Sequence, residues 1–346
     1  MSVRAAPPIR HLQAGGHAGV EYVSVDMRSP VPGELVVRPQ ITLISPGTEL
    51  HYLRMARASG ERFPLGYCAA GEVVEVGPRS PGFSVGDRVI AMGWGRAVHG
   101  TLVWVPHRLC VRIPDHLDPA EAVVANLTAT AVHALDRSGA MEGEHALVVG
   151  AGIVGLLVAQ VAASRGLDVT VVDNDSARTE AVDAMDRSAI TAADWNKLAA
   201  HPTGGTRRHV FMCISGDGTA ALHEATDWAV RGGPRPVITA VGRFVASTKF
   251  SVDHGNIDYR VSARCGEGYR DNDYELGHKQ IRVPSREGTV TENLHWALRL
   301  VEDGLVSLSG MQIYEGHFDR ATEAYAALHR STAWTSARLA YGGDDD

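Results

Sequence analysis

The sequence predicts a two-part α/β protein, a small irregular β-barrel joined to a doubly wound parallel sheet. Three observations predict it. At 346 residues the chain is too long for one ordinary domain and fits two. Its first 125 residues are rich in Val, Gly and Pro and break into short runs of strand type. Its middle alternates fully apolar strands with helical segments, the texture of a parallel sheet covered on both faces. With 45% hydrophobic and 21% charged residues the composition is that of a globular protein.

The elements follow in order. Glu34–Arg38 and Gly71–Gly77 alternate with period two, and Asp87–Ala91, Thr101–Val105 and Cys110–Pro114 complete a barrel of strands and turns. At Asp118–Pro119 the texture changes. Pro119 suits a first helical turn, and Ala120–Leu135 contains no Gly or Pro. The strand Ala146–Val149, a glycine turn, a helix over Ile153–Arg165 and the strand Asp168–Asp173 come next. Val210–Ile214 and Pro236–Val241 supply further strands. Beyond Arg264 a Gly- and Tyr-containing loop runs to Pro284. Helices over Glu292–Asp303 and Ala321–Leu328 and a strand Ser336–Ala340 return the chain to the first part. The expected parts are therefore 1–125 with 265–346, and 126–264. The acidic end, Asp344–Asp346, reads as solvated.

Charge and cysteine usage narrow the function. With 33 Lys and Arg against 40 Asp and Glu, the net charge of −7 argues against a nucleic-acid binder. The longest apolar run, Ile153–Ala163, is broken by Gln160 and is shorter than the ~18 residues of a membrane span. Met1–Gly15 has no apolar signal core, and Cys68, Cys110, Cys213 and Cys265 are too scattered for a disulfide framework. A cytoplasmic enzyme acting on a small molecule is expected.

Gly150–Ala151–Gly152–Ile153–Val154–Gly155 is G-x-G-x-x-G between an apolar strand and a helix. The first glycine permits the tight turn, the second admits a pyrophosphate, and the third lets helix pack on strand. Asp173 ends the next strand, 18 residues beyond Gly155, where a carboxylate accepts from ribose hydroxyls and repels a 2′-phosphate. NAD(H) is thus expected over NADP(H). Arg178 leaves the alternative open, because it can reach such a phosphate.

The order of parts and several motifs resemble the medium-chain dehydrogenase/reductase superfamily. Gly47–Thr48–Glu49–Leu50–His51 is similar to that family's G-T-D-L-H segment. Ala70–Gly77, Gly86–Val89, Thr130–Leu135, Gly316–Phe318 and Glu323–Tyr325 extend the likeness over nearly the whole chain. The resemblance implies a GroES-like β-barrel catalytic domain, an inserted Rossmann domain, and a homodimer or homotetramer. The Ser45–Glu49 segment and the Arg264–Tyr274 loop look most like a branch of natural-product, sugar and bacteriochlorophyll-pathway oxidoreductases. It also implies that Thr130, Gly242 and Cys265 line the nicotinamide side, the Cys265 thiol being inert.

Departures from the family pattern predict that no zinc is bound. Where zinc members carry ligands, this chain carries Pro46, Tyr67 and Asn126. Pro cannot coordinate, and phenol and carboxamide are poor zinc ligands. His51 and Cys68 with His99 or His107 make an improvised alternative. Without metal, another group must donate to the oxygen that gains charge during hydride transfer. Tyr67 is the first candidate, with Thr48 and His51 as a proton relay and Asn126 as a second donor. Tyr67 reads equally as a packed wall residue, and His51 as a rim histidine. Glu49 reads as orienting its neighbours. The loop, with Tyr52, Trp94 and Arg96, faces the cleft or merely connects. The first functional expectation is alcohol–ketone interconversion on a polar, secondary-metabolite-like substrate. A zinc-free enoyl- or quinone-type C=C reductase is the second, and a catalytically inactive dinucleotide-binding protein the third.

Overall fold

The computed structural model describes residues 8–16, 19–185, 187–198, 206–284 and 286–342. The acidic tail at Asp344–Asp346 lies outside them. The chain opens with a hairpin, β1 (Ile9–Gly15) and β2 (Gly19–Val25), then the long β3 (Glu34–Ile44) and α1 (Pro46–Ser59). β4 (Arg62–Pro64), β5 (Cys68–Val76), β6 (Arg88–Met92), β7 (Val103–Pro106) and β8 (Cys110–Arg112) follow. β1, β2 and β4 form a three-stranded sheet, while β3, β5, β6, β7 and β8 belong to a seven-stranded one.

α1 corrects the reading of this region as strands and turns alone. Pro46 sits at the helix start, Gly60 closes it at φ +76°, and Glu49, Leu53 and Ala56 form the buried stripe. The helix expected to run unbroken from Ala120 is two: α2 (Pro119–Ala122), capped by Asp118, and α3 (Ala125–Ser138).

The second sheet is built from β9 (His145–Val149), α4 (Ile153–Ser164), β10 (Asp168–Val172), α5 (Ser176–Asp183), β11 (Ile190–Ala192) and α6 (Trp195–Leu198). It continues through β12 (Arg208–Met212), the short β13 (Gly216–Asp217), α7 (Thr219–Val230), β14 (Val237–Ala240), the short β15 (Phe244–Val245) and β16 (Asp258–Val261). Six of these strands pair in parallel in the order β11-β10-β9-β12-β14-β16. Renumbered by sequence this is 3-2-1-4-5-6, the doubly wound order, whose switch point lies between β9 and β12. β9 and β12 are buried nearly throughout, which is why they read as unbroken apolar runs.

The last stretch holds α8 (Asn272–Glu275), α9 (Val290–Glu302), β17 (Ile313–His317), α10 (Ala321–Arg330) and β18 (Ser336–Ala340). α9 starts at a capping box of Thr289 and Glu292 and packs on α3. β18 pairs antiparallel with β3, so the tail does rejoin the first sheet.

Candidate active site

The glycine turn leaves the C-terminal end of β9 at the switch point, where ligands of such sheets bind. Gly150 has φ +104°, and a Cβ there would lie 2.8 Å from the Cys213 carbonyl oxygen. A Cβ on Gly155 would lie 1.8 Å from the Gly150 oxygen, so only hydrogen lets α4 sit this close to β9. Gly152 differs, because nothing in the protein comes within 4 Å of its Cβ position. Gly152 is also the N-cap of α4 and gives it no side-chain cap, so the first N–H groups of the helix face that open space. Ile153 is buried and Val154 half-buried in the first turn. These residues fit a dinucleotide pyrophosphate.

Asp173 is turned back onto this turn. Its Oδ2 accepts from Ala151 N at 2.7 Å and its Oδ1 from Asp175 N at 3.0 Å, with Arg178 Nη1 at 3.7 Å. A carboxylate offers about four acceptor sites, so capacity remains for ribose hydroxyls. Arg178 is thereby held by Asp173 and by the Thr332 carbonyl. Gly242 packs where a Cβ would meet the Ile214 oxygen at 2.1 Å, and Thr130 lies half-buried one turn beyond Asn126. Burial drives the Cys265 thiol far above its ordinary range, and its Sγ rests 3.4 Å from Met92 Sδ. That keeps it a thiol.

On the barrel side, Thr48 and His51 project from the first turns of α1 and Tyr67 lies just before β5. The Tyr67 phenol lies beside the side chains of Ser45 and Thr48, and burial raises its pKa well above that of a free phenol. It therefore remains a protonated donor. Its carbonyl accepts from Gly93 N at 3.0 Å, and its ring lies 6.3 Å from that of Trp94. His51 Nε2 lies 3.4 Å from Arg243 Nη1. A guanidinium has only donors, so Nε2 accepts and the ring is neutral. Burial and the charges of Arg243 and Arg54 lower the His51 pKa.

Asn126 is a correction. Both its N–H groups are spent, on Ala69 O and Val123 O at 3.1 Å each, and Oδ1 is the atom left without a partner among the described residues. It has no donor to offer a substrate. The improvised ligand set is corrected too. His99 is fully buried between Thr42 and Glu49, and His107 bonds the Gly33 carbonyl. Arg96 also departs from the cleft, pairing with Asn272 at 2.7 Å and Glu34 at 3.8 Å.

Sequence reasoning read Glu49 as orienting its neighbours but missed the partners it gathers behind Tyr67. Glu49 is wholly buried and accepts from Ser45 N at 2.8 Å, Gly66 N at 2.9 Å, His99 Nε2 at 3.0 Å and the Tyr325 hydroxyl. It also missed Arg243 and the reach of the late loop. From that loop Tyr269 accepts a hydrogen bond from Trp94 N at 2.9 Å, while Trp94 stacks on Tyr52 with centroids 4.0 Å apart. Only the run of Tyr, Arg and Gly in the loop signalled this.

Comparison with known proteins agrees with the architecture. Residues 31–115 match the family described as alcohol dehydrogenase GroES-like domain, and 126–221 that described as alanine dehydrogenase/PNT, C-terminal domain. The chain is 41% identical over 214 residues to L-galactonate-5-dehydrogenase of Escherichia coli, covering 61% of this chain and 56% of that protein. It is 28% identical over 188 residues to L-threonine 3-dehydrogenase of Pyrococcus horikoshii, covering 46% and 53%. The matched stretches thus span about half the length of these relatives. The fold matches the crystal structure of 2R,3R-butanediol dehydrogenase from Bacillus subtilis with a TM-score of 0.74 at 16% identity, covering 96% and 99% of the two chains. Two sheets in this order, a glycine turn at the switch point and these matches lead to one assignment: the chain belongs to the medium-chain dehydrogenase/reductase superfamily.

Proposed function

We propose that the protein is an NAD(H)-dependent, zinc-independent oxidoreductase that interconverts an alcohol and a ketone on a polar, secondary-metabolite-like substrate. In this reading residues 126–264 hold the cofactor, and 1–125 with 265–346 hold the substrate. The observation that carries it is the Tyr67 phenol, kept protonated by burial and set beside the Thr48 side chain. Nicotinamide, when bound, supplies the two-electron chemistry. In the reducing direction Tyr67 O–H donates to the carbonyl oxygen as it gains negative charge. Thr48 hands Tyr67 a replacement proton and takes one from His51, whose ring picks up a solvent proton on its other nitrogen in the same relay. In the oxidising direction the same proton leaves by the same three groups.

Independence from zinc is supported by the donor set. Pro46 has no donor, Tyr67 is held as a phenol, and the Asn126 carboxamide is bound to backbone. Burial and the nearby Glu49 charge push the Cys68 thiol well above its ordinary pKa, away from the thiolate that ligates metal. Among the described residues no three His, Cys, Asp or Glu side chains gather as a metal set. The test is elemental analysis of untagged protein alongside NADH turnover on a panel of ketones. Well under one zinc per chain, with turnover insensitive to chelator, is expected. Stoichiometric zinc that turnover requires would overturn the reading.

A further inference from the structure

An open pocket of about 570 Å³ lies on the flank of the barrel, where the turn after β5, the segment after β7 and the end of α8 meet. Arg79 and Ser80 line it from the first of these, His107 and Arg108 from the second, and Gly277 from the third. It shares no lining residue with the Tyr67 site. No Asp or Glu lines it, although the chain carries seven more acidic than basic residues.

His107 is only 7% exposed, and its ring is fixed. Nδ1 lies 3.0 Å from the Gly33 carbonyl oxygen, which can only accept, so Nδ1 carries the proton. In the neutral ring Nε2 is then a bare acceptor, and among the described residues it has no partner. Gly277 leaves that edge of the ring open. It has φ +80°, and a Cβ there would lie 2.7 Å from His107 Cε1 and 3.2 Å from Nε2. Arg108 Nε lies 3.9 Å from the same point. Arg108 is anchored by Nη1, which donates to the Tyr274 and Lys279 carbonyls at 3.2 and 2.6 Å, and by the Tyr274 ring 4.6 Å away. Neither carbonyl neutralises its charge, and Nε and Nη2 have no partner among the described residues. The turn opposite is stapled to β3, since Gly77 N and Ser80 Oγ both donate to the Glu34 carbonyl, at 2.9 and 3.1 Å. Arg79 stands exposed at the tip of that turn.

We propose that this pocket is a second small-molecule site, one that binds a phosphate monoester through His107, Arg108 and Arg79. The phosphate oxygens accept from Arg108 and, at the rim, from Arg79. Nε2 of His107 takes the remaining role, because it needs a proton from its ligand. The last proton of a phosphate monoester leaves at a pKa of about 6, close to that of imidazole. On binding, that proton is shared between a phosphate oxygen and Nε2. Sulfate and carboxylates hold no such proton near neutral pH and leave Nε2 facing an acceptor. Burial lowers the His107 pKa, and the charges of Arg108 and His278 add to this against the pull of the Gly33 carbonyl. The ring is therefore neutral at pH 7 before ligand arrives. The pocket is of the size that holds whole small molecules, which leaves room for the organic part of the ester.

Calorimetric titration of the full chain at pH 7 and constant ionic strength tests it with glycerol 3-phosphate, inorganic phosphate and sulfate. Glycerol 3-phosphate should bind at least as tightly as inorganic phosphate and about tenfold more tightly than sulfate. Sulfate should gain affinity as the pH falls through the His107 value, because the protonated ring then offers it an N–H. H107Q should abolish that gain, and R108Q should weaken glycerol 3-phosphate about tenfold. R79Q, at an exposed position, leaves the fold intact and should weaken it about threefold. Melting temperatures check each variant, and R79Q decides alone if R108Q does not fold. The proposal falls if glycerol 3-phosphate does not bind, if sulfate matches it at pH 7, or if inorganic phosphate binds more tightly than the ester. Binding that survives R108Q and R79Q but yields to saturating NADH belongs to the glycine turn and overturns it as well.

Discussion

His99 Nε2 donates to Glu49 Oε2 at 3.0 Å, and both side chains are completely buried. Facing a carboxylate, Nε2 carries the proton, so Nδ1 accepts from Thr42 Oγ1 at 2.7 Å. The same carboxylate takes the Gly66 N–H, one residue before Tyr67, and the Tyr325 hydroxyl from α10. Gly66 has φ +89°, and a Cβ there would lie 2.4 Å from His99 N. The backbone leading into Tyr67 is therefore clamped by one acceptor that four donors share.

Glu49→Gln sets an N–H₂ group against those donors. Leaving a buried donor without a partner costs about 1–3 kcal/mol, more near charge, so urea unfolding should show a loss of roughly 3 kcal/mol. Tyr325→Phe removes one charge-assisted hydrogen bond and should cost about 2 kcal/mol. A Glu49→Gln protein as stable as the parent would show that the cluster does not hold the site.

Two glycines of one motif should fail differently. Gly155→Ala forces a methyl onto the Gly150 oxygen and should lower stability and abolish NADH binding together. Gly152→Ala meets nothing in the protein and should fold normally, yet bind NADH at least tenfold more weakly, about 1.4 kcal/mol. Thermal melts beside fluorescence titration separate the two. Equal NADH affinity in Gly152→Ala and parent would place the pyrophosphate elsewhere.

The parallel sheet was legible because burial on both faces leaves an uninterrupted apolar signature, as in Val210–Met212 and Leu147–Val149. α1 was not, because its buried stripe contains Glu49 and its inner turns are polar. Only Pro46 and Gly60 marked its ends. Tyr67, Thr48 and His51 were legible as residue types in two short motifs; in the fold Tyr67 lies beside Thr48, while His51 meets Arg243. The Glu49 cluster spans residues 42 to 325, and Arg243 meets His51 across 192 positions. Such pairings are set by the closure of two sheets, which no local spacing records. Asn126 was misjudged because its hydrogen bonds run to backbone carbonyls, which sequence does not display.

Cofactor preference follows from Asp173. Its charge lies within reach of the glycine turn and would oppose a 2′-phosphate, whereas Arg178 is already drawn to it. NADH should bind at least tenfold more tightly than NADPH by fluorescence titration, a difference of roughly 1.4 kcal/mol. Asp173→Ser should narrow the gap, and it should also loosen the Ala151 N–H contact. Equal or tighter NADPH binding by the parent would mean that Arg178 governs the pocket.

His133 should give the protein a measurable acid sensitivity. It is 4% exposed, its Nδ1 has no partner among the described residues, and burial lowers its pKa below 6.5, Glu287 opposing and Arg137 adding to the shift. The unfolded chain takes up this proton near pH 6.5 and the folded chain only at lower pH. Its contribution is thus complete above 6.5 and is lost as the pH falls from there through the folded value. His133→Leu should flatten the fall in unfolding free energy between pH 7 and 5 relative to the parent. Parallel curves for the two proteins would mean that His133 is protonated equally in both states.

Tyr67→Phe tests the chemistry most directly, since it keeps the ring and removes only the hydroxyl. Loss of one donor to a developing oxyanion costs about 10²–10³ in turnover, roughly 3–4 kcal/mol. The loss should fall on kcat more than on KM, because the charge appears mainly in the transition state. His51→Gln should do less, since water can replace a group at the solvent end of a relay. Its signature should be in the pH profile. Burial with Arg243 and Arg54 lowers the His51 pKa, so the parent's imidazole transition should lie below 6.5, and it should vanish in His51→Gln. In Arg243→Gln the same transition should move up, because a repelling charge has gone. A C=C reductase predicts a different order, with Tyr67→Phe and His51→Gln both near the parent, because protonation of carbon follows hydride delivery. Turnover at saturating NADH on carbonyl and enone substrates therefore decides between them. A Tyr67→Phe enzyme within about threefold of the parent, against the ~10²-fold expected, would end the donor assignment. With the Asn126 amide spent on backbone, the enoyl-type reaction would then be the reading to pursue.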